Sequence, residues 1–252
     1  MKKFFEKNVQ LVKDKWIYLF AYFYLFLSVS LFLLGNVKYF ISIPFTFLLF
    51  LAVIKAVSYA PDMKVSLLKK YKTMGIILFI IVIWVLFGGV GGFVWQNIWD
   101  HKFRNAIFRD LVHYSWPVIQ DGKALCYYFG FWLPSALFGK LFGLQAGYFF
   151  QVIWAILGIF IAFGIICQYL EKVKIRNIIL FVFYSGLDVF LFLIFSKLSW
   201  HDSLLNIMNG KHIELATTYF NSSSNTTLLF WLYNQIIPFW VGMSLLLQQK
   251  DS

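Results

Sequence analysis

Runs of about twenty consecutive apolar residues constrain this chain more than any motif, because a helix of that length crosses roughly 30 Å of hydrocarbon. Ile76 to Leu86 reads IILFIIVIWVL, without one polar residue. A membrane β-barrel would instead alternate polar and apolar residues along segments of about ten. The sequence therefore predicts an all-α, polytopic membrane helix bundle with six spans, at 16–34, 39–57, 74–94, 145–169, 177–197 and 227–247. Aromatic residues such as Trp16, Trp95 and Trp231 fall near span ends, where their rings suit the membrane interface.

The formal charge of +11 would point to nucleic acid in a soluble protein. In a membrane chain the distribution of Lys and Arg among loops is what informs, and no nucleic-acid partner is expected. Lys2, Lys3, Lys7, Lys13 and Lys15 precede the first span. Lys55, Lys64, Lys69, Lys70 and Lys72 lie at or between the second and third, whereas only Lys38 separates the first from the second. The N-terminus is thus expected in the cytoplasm, and residues 95–144 form an outer-face loop. Residues 1–73 read as a two-span N-terminal segment and 74–252 as the module that carries this loop. The basic start leads into a full span with no small-residue cleavage pattern, which reads as a retained signal-anchor.

Leu125 to Gly143, LCYYFGFWLPSALFGKLFG, admits two readings. It is apolar, but it is short and carries Pro134 near its middle and Lys140 near its end. If it spans, the basic loop 171–176 falls outside; if it lies along the outer interface, that loop falls inside. The Lys and Arg distribution barely separates the two, and the tight basic turn EKVKIR favours the interfacial one.

The stretch WDHKFRNAIFRDLVHYSWP, Trp99 to Pro117, concentrates charge in a chain that is 61% hydrophobic and 13% charged. On a helix, Phe103, Ala106, Ile107, Leu111 and Tyr114 form an apolar stripe, and Lys102, Arg104, Asn105, Arg109, Asp110 and His113 gather opposite, as in a helix lying in the membrane surface. The plain account is an Asp100 N-cap with basic residues touching lipid headgroups. The chemical account is a carboxylate and several cations forming a site for a phosphate-bearing lipid.

The order of features resembles the GT-C superfamily of membrane glycosyltransferases, which includes protein O-mannosyltransferases and aminoarabinose transferases. In those families a span is followed by an acidic motif, an amphipathic helix with Trp and Pro, a second helix ending in FG, and another span. Here the order is Asp100, Phe103 to Leu111, Trp116 and Pro117, YYFGFWLPSALFGKLFG, and the span from Gln145. The family's acidic pair appears as Asp100-His101, and its paired prolines are reduced to Pro134. The resemblance implies an interfacial 125–143 and an enzyme of a bacterial plasma membrane that takes a sugar from a polyprenyl-phosphate donor. Asp100 would be the general base and His101, Lys102, Arg104 and Arg109 would bind substrate, a cation offsetting the charge on the departing phosphate.

Other residues complete the candidate set. Asp188 is an acidic residue within an apolar run, costing on the order of 3 kcal/mol at a helix centre unless paired or solvated. The resemblance implies a second outer-face acid, for which it is the candidate; the plain reading is a local bond to Ser185 or Tyr184. His212 and Glu214, with His201 and Asp202, could join Asp100 around substrate or a divalent ion, against the plain reading of solvated loop residues. Gly88 to Gly92, GGVGG, lacks a strand-turn-helix context for phosphate and reads as close helix packing or a flexible exit. NSSSNTT, from Asn221, holds two formal glycosylation sequons at Asn221 and Asn225, but reads better as a turn and N-cap. Cys126 and Cys167 read as packing residues. Two rivals to the transferase remain: a transporter or flippase using Asp188, and a non-catalytic subunit of a membrane complex.

Overall fold

Backbone amides in hydrocarbon have no water to bond, so apolar runs satisfy them internally as helices. The computed structural model describes residues 2–94, 96, 100–184 and 223–249. In chain order its helices are α1 (Lys2–Asn36), α2 (Tyr39–Tyr59), α3 (Tyr71–Phe87), α4 (Asp100–His113), α5 (Leu133–Phe142), α6 (Leu144–Tyr169), α7 (Ile175–Phe183) and α8 (Asn225–Gln249). A two-stranded antiparallel hairpin, β1 (Ile119–Gln120) and β2 (Lys123–Ala124), sits between α4 and α5.

Four helices among the described residues are long and apolar enough to cross a bilayer: Lys15–Asn36 of α1, Tyr39–Tyr59, Leu144–Tyr169 and Asn225–Gln248. The third expected span is shorter than the sequence predicts. Gly89, Gly91 and Gly92 all have positive φ, so the helix ends at Phe87 rather than running to 94. Of the expected span at 177–197, α7 covers the part to Phe183, and residues beyond 184 lie outside the described residues.

α6 is the helix around which the others are arranged, because glycines along it admit close neighbours. A Cβ on Gly158 would stand 2.5 Å from both Ile237 Cγ2 of α8 and Tyr24 Oη of α1. Tyr24 stacks on Trp154 with centroids 4.0 Å apart and donates from its hydroxyl to the Trp154 carbonyl at 3.2 Å. Against α5 the crossing is glycine on glycine: a Cβ on Gly147 would stand 3.0 Å from Gly139 Cα and 3.2 Å from Phe108 Cζ of α4. Gly91 packs in the same way on Val152 and the Tyr148 carbonyl, so GGVGG is a close-packed turn.

Loop contacts define the two ends of the bundle. Gln168 near the end of α6 accepts from the Val65 amide and donates to the Val65 carbonyl, both at 2.9 Å. Lys64 pairs with Glu171 at 2.8 Å. The loops after α2 and after α6 therefore lie at the same end. α5 has ten residues, a length of about 15 Å, which is half of what a span requires. Pro134 occupies its first turn, where a missing N–H costs nothing, so it starts this helix rather than breaking one. Loop 171–176 thus lies beside the lysine-rich loop. At the opposite end, Trp116 seats against Gly35 of α1, and Phe32 meets Phe129.

Ser224 caps α8 by accepting from the Thr227 amide at 3.1 Å. Asn225, one of the two formal sequons, is buried and donates to the Phe181 carbonyl at 2.7 Å, which leaves it closed to glycosylation.

The glycine contact between α5 and α6 yields a stability test. Gly147→Leu is expected to lower stability by about 2 kcal/mol through overpacking. Gly75→Ala, where a Cβ meets nothing within 4 Å, is expected to be neutral or slightly stabilising. Thermal unfolding in detergent checks both.

Candidate functional site

α4 presents one face to the core, and that face shares Ile107 and Leu111 with the apolar stripe but is turned toward Arg104 and Phe108. His101, Arg104, Ile107, Phe108, Leu111 and Val112 are buried, at spacings of three and four. Phe103 and Tyr114, placed by the sequence on a stripe facing the membrane surface, are exposed, Phe103 by 56%. Arg104, expected on the polar side, is only 3% exposed. The reason is packing volume: Phe108 and Val112 turn the helix so that Phe108 fits against Gly147 and Val112 against Gly139, and Arg104 shares their face.

The C-terminus of α4 is pinned by side chains from later segments. Trp116 donates from its indole to the Leu111 carbonyl at 2.9 Å. Lys140 of α5 donates to the carbonyls of Val112 and Tyr114 and lies over the Trp116 ring, placing a cation at the negative end of the helix dipole. Nearer its start, Asn105 donates to Gln96 at 2.7 Å, and Gln96 donates to the Gly89 carbonyl. The head of α4 is thereby tied to the turn after α3.

Arg104 reaches across to α8, where Leu232 departs from helical geometry (φ −137°, ψ 28°). Such a break loosens the hydrogen-bond ladder, and the guanidinium Nη2 donates to the Trp231 carbonyl beside it. The charge also lies at the end of the short helical segment 225–231, where the dipole is negative. Its carbon stands 5.6 Å from the centre of the Tyr233 ring. Tyr233 is itself buried among His101, Phe131 and Trp132, and its hydroxyl accepts from Gln151 at 3.0 Å. Nε and Nη1 of Arg104, Nε1 of Trp132 and Oε1 of Gln151 have no hydrogen-bond partner among the described residues.

His101 is fully buried next to this group. Burial pushes its imidazole down to about 4, and the charge of Arg104 acts in the same direction; Asp100 and a hydrogen bond to the Gly88 backbone oppose them. The ring is therefore neutral at pH 7.

Of the residues singled out from sequence, Asp100 is half-buried as the first residue of α4, and His101 and Arg104 lie together in the core. Lys102 and Arg109 are exposed on the far side of the same helix. Asp188, His212 and Glu214, with His201 and Asp202, lie outside the described residues. Among the described residues no three His, Cys, Asp or Glu side chains come close enough to hold a metal ion. Cys126, expected to be a packing residue, is exposed after the hairpin, whereas Cys167 is buried. Sequence reasoning missed Gln151 and Tyr233; a glutamine inside an otherwise apolar span was the available signal. A separate crevice of about 290 Å³, lined by Asp110, Gln120, Asp121 and Lys123 among others, opens beside the hairpin. Comparison with protein families, curated proteins and solved structures finds no match for this chain.

The His101 environment makes stability depend on pH. Between about 4 and 6.5 the unfolded chain binds a proton that the folded chain refuses, so this contribution is fully present above 6.5 and is lost as pH falls toward 4. The loss is expected to be on the order of 3 kcal/mol. Unfolding midpoints measured across that range should fall in the wild type and flatten in His101→Gln.

Proposed function

We propose that this chain is a GT-C-like membrane glycosyltransferase acting on the outer face of a bacterial plasma membrane. The observation that carries the reading is the buried guanidinium of Arg104, with two of its three nitrogens lacking a partner among the described residues, one helical turn after Asp100. A charge taken out of water costs several kcal/mol unless an anion or strong acceptors surround it, and a lipid phosphate is an anion of suitable geometry.

In this reading α4 and α5 lie along the outer interface, the bundle has six spans, and the clustered basic loops face the cytoplasm together with the N-terminus. Residues 1–73 supply two of those spans, and 74–252 form the catalytic module. Asp100 accepts the proton of an acceptor hydroxyl as its oxygen attacks the anomeric carbon of a polyprenyl-phosphate sugar. The bond from that carbon to the phosphate oxygen breaks, and the phosphate leaves with the electron pair. One displacement inverts the anomeric centre. Arg104 meets the charge growing on the phosphate, and Lys102 and Arg109 hold the lipid headgroup at the surface. Neutral His101 fixes the start of α4 against the Gly88 backbone. Asp188, His212 and Glu214 are assigned to the acceptor side or to a divalent ion.

A broken α8 favours one second reading, since interrupted membrane helices also line the pathways of transporters and flippases. The two separate in proteoliposomes supplied with polyprenyl-phosphate sugars and acceptor. Transferase activity predicts loss of product by at least about 100-fold in Asp100→Asn. Full transfer by that variant would end the catalytic reading, and movement of labelled lipid between leaflets without transfer would support the second.

A further inference from the structure

The end of the bundle opposite α4 carries a second chemistry. The loop after α2 is held rigidly: Leu67 is buried against Gly164 of α6, and Gln168 bonds both backbone groups of Val65. Lys15 ties the start of the first span to the Ser58 carbonyl at 2.9 Å. Around this fixed frame Lys55, Lys69, Lys70, Lys72, Lys172, Lys174 and Arg176 are all exposed. Asp62 and Glu171 at this end already face Lys15 and Lys64. None of the seven exposed cations makes a salt bridge among the described residues. Tyr59, Tyr71 and Tyr169 are exposed beside them at the ends of α2, α3 and α6, in the manner of interfacial anchors.

We propose that this surface docks anionic phospholipid headgroups. Each cation lies within a turn or two of an apolar helix end, which sets it level with the phosphates of the leaflet, and long stems let the charges reach them. The pinned loop has little conformational freedom left to lose when lipid binds, so headgroups are retained rather than merely attracted. Charge complementarity selects lipids with net negative charge over zwitterionic ones. The inference does not depend on the catalytic reading, because it uses a different end of the protein.

The test is thermal unfolding of the full chain in nanodiscs of phosphatidylcholine alone or with phosphatidylglycerol added. The anionic lipid is expected to raise the midpoint by at least about 3 °C and to co-purify with the protein. The triple variant Lys69→Gln, Lys70→Gln, Lys72→Gln should lose that shift. The charge-retaining triple Lys→Arg at these positions should keep it, as should Lys38→Gln with Lys123→Gln at the other end. Equal midpoints in the two lipids, a full shift in the triple Gln variant, or the same shift produced by inorganic phosphate in phosphatidylcholine would overturn the proposal.

Discussion

Arg104 sits where α4, α6, α8 and the segment leading into α5 come together, and removing a guanidinium from water costs several kcal/mol unless its surroundings answer it. The local structure is organised around that demand. α8 breaks at Leu232 and offers the Trp231 carbonyl, Tyr233 turns its ring toward the cation, and Gln151 fixes the Tyr233 hydroxyl. α4 can bring Arg104 there because Phe108 and Val112 fit against Gly147 and Gly139. The small residues at the crossing of α5 and α6 and the buried charge are thus parts of one arrangement: without the close crossing, the helix that carries Arg104 would stand farther from α8.

The two ends of the bundle divide the polar chemistry. One carries rigid loops with exposed lysines, where Asp62 and Glu171 are paired. The other carries α4, the hairpin and α5, with its most buried charge facing inward. In the proposed reading such asymmetry serves a substrate with a polar head and a greasy tail, because orientation in the bilayer decides which site the head can reach. The neutral state of His101 belongs to the same logic: a second positive charge beside Arg104 would repel it, and burial keeps the imidazole uncharged at pH 7.

Much of this architecture was legible in the sequence where a single physical rule governs. Unbroken apolar runs marked α1, α2, α6 and α8, and the polar cluster before α8 marked its cap, because hydrocarbon and orphan amides leave few alternatives. Legibility failed where tertiary packing outvotes local pattern. Arg104 looks like a surface residue, yet the fit of Phe108 and Val112 to glycines on other helices carries it inside, and nothing within α4 records those glycines. The hairpin was readable in principle: Asp121-Gly122 takes positive φ at both positions, the turn that this dipeptide favours, and it was hidden only by the helical character of everything around it. The start of the candidate site at Asp100 was visible from its charge, whereas Gln151 and Tyr233, each inside a span-length helix and on two different helices, became part of it only through folding.

The central claim is that Arg104 waits for an anionic lipid head beside Asp100. The most direct measurement is the dissociation constant of a polyprenyl phosphate for the purified protein in detergent, compared among the wild type, Arg104→Gln and Asp100→Asn. The account predicts that Arg104→Gln weakens binding by at least about tenfold, the loss of a charge-assisted hydrogen bond, while Asp100→Asn binds as tightly as the wild type or more so. Unchanged affinity in a folded Arg104→Gln protein would contradict it.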